Sequence, residues 1–392
     1  MKILNLHSLK TKLKAYGAVL GITCACFIFN SSEFIPIGIL SLIAQDFKLS
    51  EAAVGLIITF YAWVVAIASL PLMLLTSKIE LKRLLLGVLA LFVVAHIFST
   101  LANSMGMLIF SRLLVATAHS IFWSIASVMA VRAAPKGGEA IALSLILVGT
   151  TTALVLGLPL GRVIGLYLGW RMTFLSIGVV ALLVWILLFI ILPKMPSNSA
   201  HGLKSLPNLL ENKAFRHLCF LTLLFITAHF TTYSYVEPFL ALRFSEEEIT
   251  FVLVLFGAMG FVGGVLFSKL YEKRGKWLLN FALFGLSLCL LLFYPFLEIS
   301  TFLILLLCCA WGLALALIGL MFQALVIKIA PQSTTIAMSI YSGTYNVGIG
   351  SGAFIGGLVY ADFGITYIGF IGAFIALLGC LLFVKVKFDK VV

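Results

Sequence analysis

Charge is scarce in this chain. Only 10% of its 392 residues are Asp, Glu, Lys or Arg, against 62% hydrophobic, and the mean hydropathy is +1.20. A soluble domain has too little interior to hide that much apolar surface, so the sequence reads as membrane-embedded. Other absences narrow the function. No GxxxxGK[ST] loop occurs, and no polar stretch is large enough to hold ATP, which excludes an ATP-driven pump unless a partner supplies the motor. No Ser–His–Asp or metal-ligand spacing suggests an enzyme, and nothing calls for a cofactor. The seven cysteines all fall in apolar segments and none forms a CxxC pair, which argues against a zinc site or a disulfide framework. The 26 Lys and Arg outnumber the 14 Asp and Glu, yet they form no basic stripe interleaved with aromatics, so nucleic acid is not the expected partner. The first apolar run is too long for a signal peptide. It holds the polar cluster Asn30 to Glu33 rather than a small-residue cleavage site, and is expected to be retained.

What the chain does have is segments of about twenty apolar residues, the length that crosses a bilayer. Twelve are placed near 16–40, 52–76, 84–103, 106–131, 139–165, 171–192, 217–241, 249–268, 277–297, 300–327, 335–360 and 364–384. With the amino terminus inside, 21 of the 26 basic residues fall on the cytoplasmic side. Lys48, Arg162, Arg171 and Arg243 fall outside, and Arg112 lies within a span. That asymmetry predicts cytoplasmic termini and an even number of spans. The polar stretch 193–216 divides the chain nearly in half. VRAAP (Val131 to Pro135) before Ala142, Leu143 and Ser144 is echoed by IKIAP (Ile327 to Pro331) before Ala337, Met338 and Ser339. The expected fold is therefore an all-α membrane protein of twelve transmembrane helices, with one six-helix half at 1–192, a cytoplasmic linker at 193–216 and a second half at 217–392.

Ionisable side chains inside such spans are rare, and they mark pathways for ions, protons or polar solutes. Glu33 sits in the run FIFNSSEFIP (Phe27 to Pro36), with Asn30 three residues before it on the same helical face. Arg112, His119 and Trp123 fall within roughly 40° of one another on the fourth span. An ion pair between Glu33 and Arg112 is geometrically feasible, and an unpaired charge at that depth costs at least about 2.5 kcal/mol. The seventh span offers His229, Tyr233 and Glu237 at spacings of four. Tyr345 and Asn346 on the eleventh are weaker candidates. Plain alternatives stand beside each: a helix–helix hydrogen bond for His119, ordinary packing for Trp123, a wetted mouth position for Glu237, a structural pair for Glu33 and Arg112. His96, alone on its apolar span, reads as a satisfied structural group. Gly149, Gly157, Gly161 and Gly165 would let helices approach closely, and Pro159 would bend the fifth span.

The strings FIFNSSEFIP, YAWVVA (Tyr61 to Ala66), AHSIFWS (Ala118 to Ser124), LGLPLGRVIG (Leu156 to Gly165), GWRMTF (Gly169 to Phe174) and TAHFTTYSYVEPF (Thr227 to Phe239) resemble the bacterial sugar-efflux transporters of the major facilitator superfamily. The resemblance covers the whole chain and is densest in its first half. It departs from the superfamily pattern at SKIELKR (Ser77 to Arg83), which keeps only the basic end of the usual loop. Val115 and Ala116 also stand where a glutamine and a glycine are usual. The resemblance implies a proton-driven sugar exporter of the bacterial inner membrane. On that reading Asn30, His119, Trp123, His229, Tyr233, Tyr345 and Asn346 would contact substrate. Glu33, Arg112 and Glu237 would couple protons, and the chain would act as a monomer. The alternatives are a multidrug antiporter for lipophilic compounds and, more remotely, a nontransporting membrane sensor.

Overall fold

The computed structural model describes residues 6–197, 206–331 and 333–386. Lys2, Lys204, Lys387 and Lys390, used in the charge count, lie outside those residues, as does 198–205 of the 193–216 stretch. Every regular element among the described residues is helical. In hydrocarbon the backbone must satisfy its own hydrogen bonds, which a helix does within one segment.

The first passage is α1 (Leu6–Gly38), broken at Ile39 just after Pro36 and continued by α2 (Leu40–Phe47). The second is α3 (Glu51–Val54) with α4 (Leu56–Thr76), the third α5 (Leu81–Thr100) and the fourth α6 (Met105–Ala133). The fifth joins α7 (Glu139–Thr152) to α8 (Leu158–Leu168) through a π-helical turn at Ala153–Gly157, and the sixth is α9 (Trp170–Ile191). A short α10 (Leu206–Glu211) precedes the seventh passage, α11 (Lys213–Tyr233) with α12 (Val236–Leu240). The run α13 (Glu246–Ile299) is two passages joined at Arg274, whose φ of −140° and ψ of 31° leave the helical region. Then come α14 (Thr301–Ile329), α15 (Thr334–Phe363) and, after a 3₁₀ turn at Ile365–Tyr367, α16 (Ile368–Val386).

Ten helices among the described residues are long and apolar enough to cross a membrane. One of these, α13, supplies two passages. The glycine-rich α15 does not reach that apolarity, yet its 30 residues lie among the other passages and complete twelve. The ends are built from ordinary caps. Ser50, Ser104, Asn212 and Ser300 accept backbone N–H groups at the starts of α3, α6, α11 and α14. Ser245 and Glu248 form a capping box on α13. Glu80 caps α5 and reaches the polar stretch after α9: its carboxylate accepts from the N–H groups of Met195 at 2.6 Å and of Lys82 and Arg83 at 3.0 Å. Slight burial opposes its charge, but those bonds and the Arg83 cation hold its carboxyl below the usual glutamate value.

Two groups of helices result. α1 packs on α6, α7, α8 and α9, while α5 and α4 pack on α6. α11 packs on α15 and α16, and α13 on α14 and α16. The groups meet along α4 with α15, and along α13 with the π turn and α8. Glycine sets the closest approaches. A Cβ on Gly149 would sit 2.6 Å from Thr23 O, and one on Gly257 would sit 2.8 Å from Val155 Cα, so both seams exclude any side chain. Gly264, seven residues on and on the same face as Gly257, has nothing within 4 Å. The two groups touch at the end where α8 meets α13 and α12 meets α1 and α2.

Candidate functional site

Where α1, α4 and α6 meet, their polar side chains converge. Arg112, 1% exposed, donates from Nη1 to Ser32 Oγ at 3.1 Å and from Nη2 to Ser32 O at 2.7 Å. Its guanidinium carbon lies 4.7 Å from the Tyr61 ring centre and 5.6 Å from that of Phe174, so two aromatic faces share its charge. Ser32 Oγ also lies 2.9 Å from His96 Nε2, and His96 Nδ1 lies 2.8 Å from Phe92 O. A carbonyl only accepts, so Nδ1 carries the hydrogen and Ser32 donates to Nε2. His96, bonded at both ring nitrogens, is thus a prop for Ser32 and, through it, for Arg112.

Among the described residues no carboxylate oxygen comes within 4.0 Å of Arg112. The direct Glu33–Arg112 pair that the sequence makes feasible is not formed in this structure. The reason is local: Ser32, the residue before Glu33, takes both terminal nitrogens of the guanidinium. Glu33 lies instead 3.7 Å from His119 Nε2, its side chain 8% exposed, and no hydrogen bond to its carboxylate is made among the described residues. His119 Nδ1 meets Tyr61 Oη at 2.8 Å, and Trp123 follows with its ring 6.0 Å from the imidazole.

A second cluster is aromatic. His229 of α11 accepts at Nδ1 from Trp311 Nε1 of α14 at 3.0 Å. Tyr233 stacks on His229 at 4.8 Å and on Phe256 of α13 at 4.9 Å, and Trp311 stands edge-on to all three. Phe34, next to Glu33, meets Phe230, next to His229, with ring centres 6.2 Å apart, so the two clusters lie beside one another. Several buried polar atoms have no hydrogen-bond partner among the described residues: Asn30 Nδ2, Asn346 Oδ1 and the hydroxyl of Tyr341. Asn346 spends its Nδ2 on Ser342 O at 3.0 Å. Buried polar atoms are rarely left so in a finished core, because each costs about 1–3 kcal/mol.

Glu237 bonds to neither cluster. It sits at the closed end, 2% exposed, with Arg162 Nη1 at 3.1 Å on one oxygen. Ser41 N at 3.1 Å and Ser41 Oγ at 2.9 Å donate to the other. Arg162 also donates to Gly38 O at 2.7 Å and pairs closely with Glu246. This corrects the place of Arg162. It is fully buried rather than wetted outside, and one cation ties α1 and α8 to α12 and α13. Nearby, Tyr360 of α15 donates to Glu51 of α3 at 3.4 Å. Sequence reasoning passed over Ser32, Phe256, Trp311 and the Arg162 pairing. The fifth passage carries a π turn at Ala153–Gly157, just before Pro159.

A twelve-passage helical bundle, sealed at one end around buried, unsatisfied polar groups, is the architecture of a multi-pass membrane transporter. The pattern of the Major Facilitator Superfamily matches residues 22–335, and the chain belongs to that family, one of transporters and not of enzymes. It is 46% identical over 373 residues to a probable sugar efflux transporter of Helicobacter pylori (strain ATCC 700392 / 26695), covering 93% of this chain and 94% of that one. A probable sugar efflux transporter of Helicobacter acinonychis (strain Sheeba) is also 46% identical, over 371 residues, with the same coverage of both chains. Among solved structures, a point mutant of the nucleoside transporter NupG superposes with a TM-score of 0.73 at 14% identity, covering 96% of this chain and all of the other. A bacterial homologue of the human lysosomal transporter Spinster, inward-facing and unoccupied, gives 0.72 at 16% identity, covering 94% of this chain and 91% of that one. At such identities the likeness is one of fold.

Proposed function

We propose that this protein exports sugars across a bacterial inner membrane in exchange for protons, as a monomer. The observation that carries the reading is the set of buried polar groups on α1 and α15 that have no partner among the described residues, in a bundle that also buries aromatic clusters on α6 and α11. A neutral polyol supplies donors and acceptors to such groups and lays its apolar ring face on an aromatic. The curated relatives, named as probable sugar efflux transporters, support the same class. The halves 1–192 and 217–392, joined by the linker 193–216, rock about the two clusters. Asn30, His119, Trp123, His229, Tyr233, Tyr345 and Asn346 face the sugar. Glu33 takes and releases the proton beside His119, within the field of Arg112. Glu237 serves the closed end instead, locked to Arg162.

Purified protein in liposomes tests the reading. Adding arabinose should evoke proton movement, and an imposed pH gradient should drive arabinose uphill. Proton-coupled efflux of a lipophilic dye with no arabinose flux would replace this reading by that of a multidrug antiporter.

Both termini face the cytoplasm on this view, from the asymmetry of basic residues, and the closed end faces outward. Lys136 and Glu247 are exposed at opposite ends of the bundle. In intact cells an impermeant thiol reagent should label Glu247→Cys and spare Lys136→Cys. The reverse pattern would invert the protein in the membrane.

A further inference from the structure

The histidines of the two clusters, His119 and His229, are not equivalent. We propose that Trp311 locks His229 as a permanent Nε2–H donor to an acceptor oxygen of the sugar, so that His229 reads substrate while His119 remains free to exchange its hydrogen. The inference rests on the sugar-export reading and adds a positioning residue to it.

The lock follows from chemistry. An indole N–H only donates. It lies 3.0 Å from His229 Nδ1, with both side chains 1% exposed, so Nδ1 carries no hydrogen and the ring's single hydrogen sits on Nε2. Turning the ring over would place a carbon against the indole N–H and leave that buried donor unpaired, which is costly. Packing also holds the ring: Tyr233 stacks on it at 4.8 Å and Phe230 meets it edge-on at 4.7 Å. Among the described residues nothing accepts from Nε2–H, and nothing bonds the hydroxyl of Tyr233 beside it. The cluster thus offers one oriented donor and one adaptable hydroxyl next to the stacked faces of Tyr233 and Phe256, which suits a sugar oxygen and the apolar face of its ring.

His119 differs in its partner. Tyr61 presents a hydroxyl, which can donate or accept, at 2.8 Å from Nδ1. Its Nε2 faces Glu33 at 3.7 Å. Either ring nitrogen of His119 can therefore hold the hydrogen without leaving Tyr61 unpaired. Trp311 denies His229 that freedom.

The test uses full-length protein labelled with ¹⁵N-histidine in detergent, with arabinose as the probe. Two-bond ¹H–¹⁵N correlations report each tautomer, and His229→Gln assigns the signal. The wild type should show His229 with hydrogen on Nε2. Trp311→Phe, which keeps an aromatic ring and removes the N–H, should give mixed tautomers and weaken arabinose binding about tenfold, the loss expected when one hydrogen bond is no longer held in place. Its melting temperature should stay near that of the wild type. Wild-type His229 carrying its hydrogen on Nδ1 would overturn the proposal, as would a folded Trp311→Phe protein with unchanged arabinose affinity. If Trp311→Phe does not fold, the wild-type tautomer, compared with and without arabinose, decides the question. The Nε2–H signal should shift on binding, and a signal that stays put overturns the assigned contact. Wild-type protein with the expected tautomer but no arabinose binding would sink the sugar assignment and leave the lock standing.

Discussion

Glu33→Gln should abolish arabinose movement driven by a pH gradient, to the level of protein-free liposomes, while arabinose still exchanges across the membrane at equal pH. The glutamine keeps the shape and the hydrogen-bonding capacity and cannot carry a proton. The site supports this outcome because, among the described residues, no hydrogen bond occupies the Glu33 carboxylate, whose near neighbour is His119 Nε2 at 3.7 Å. The variant should also fold. Arg112 is held by Ser32 and by the rings of Tyr61 and Phe174, so it does not depend on Glu33 for a hydrogen-bonded partner. A melting temperature close to the wild-type value would separate loss of coupling from loss of structure. A variant that still moves arabinose uphill at near wild-type rate would remove Glu33 from the mechanism. One that cannot bind arabinose at all would make Glu33 a ligand rather than a carrier.

The second large effect belongs to the closed end. Arg162→Met removes the cation shared by Glu237 and Glu246. The Glu246 side chain is 55% exposed and water can solvate it, but that of Glu237 is 3% exposed and would be left as a buried charge. Breaking a buried pair from one side costs about 3–5 kcal/mol, so a marked fall in melting temperature is expected. Arg162→Met combined with Glu237→Gln leaves no orphan charge and should recover most of that loss. It should nevertheless part the end that Arg162 holds shut. Spin labels at Leu49→Cys and Glu247→Cys, in a cysteine-free background, measure the separation. The paired variant should populate longer distances than the wild type. An unchanged distribution would reduce the cluster to a static brace.

Much of this was legible in the sequence, and the reason is contrast. Glu33, Arg112, His119 and His229 stand out because the residues around them are apolar, and polar side chains in a membrane span need a reason to be there. Trp311 and Phe256 have no such contrast. An aromatic residue in an apolar helix reads the same whether it faces lipid, a neighbour or a cavity, and only its partner's position tells them apart. Arg162 was misplaced for a related reason. A cation near the end of an apolar run is indistinguishable from a loop residue until its carboxylate arrives from Glu237 on a different helix. Finer grain was out of reach: the depth of Glu33 and Arg112 along their helices made a pair feasible, but spacing could not say which of two successive residues, Ser32 or Glu33, meets the guanidinium in this structure.

The modest apolarity of α15 bears on how the chain is made. A segment so rich in glycine, serine and threonine gains little by entering lipid alone. Its place is secured by neighbours, α11 from its own group and α4 from the other. Synthesis therefore cannot settle this protein helix by helix in order of emergence. The eleventh passage must find a slot framed by segments translated long before it, one of them near the very beginning. The seam that joins the two groups in the finished protein can therefore form only once the eleventh passage has been made. Quality control at the ribosome would meet this chain with its late passages still waiting for partners.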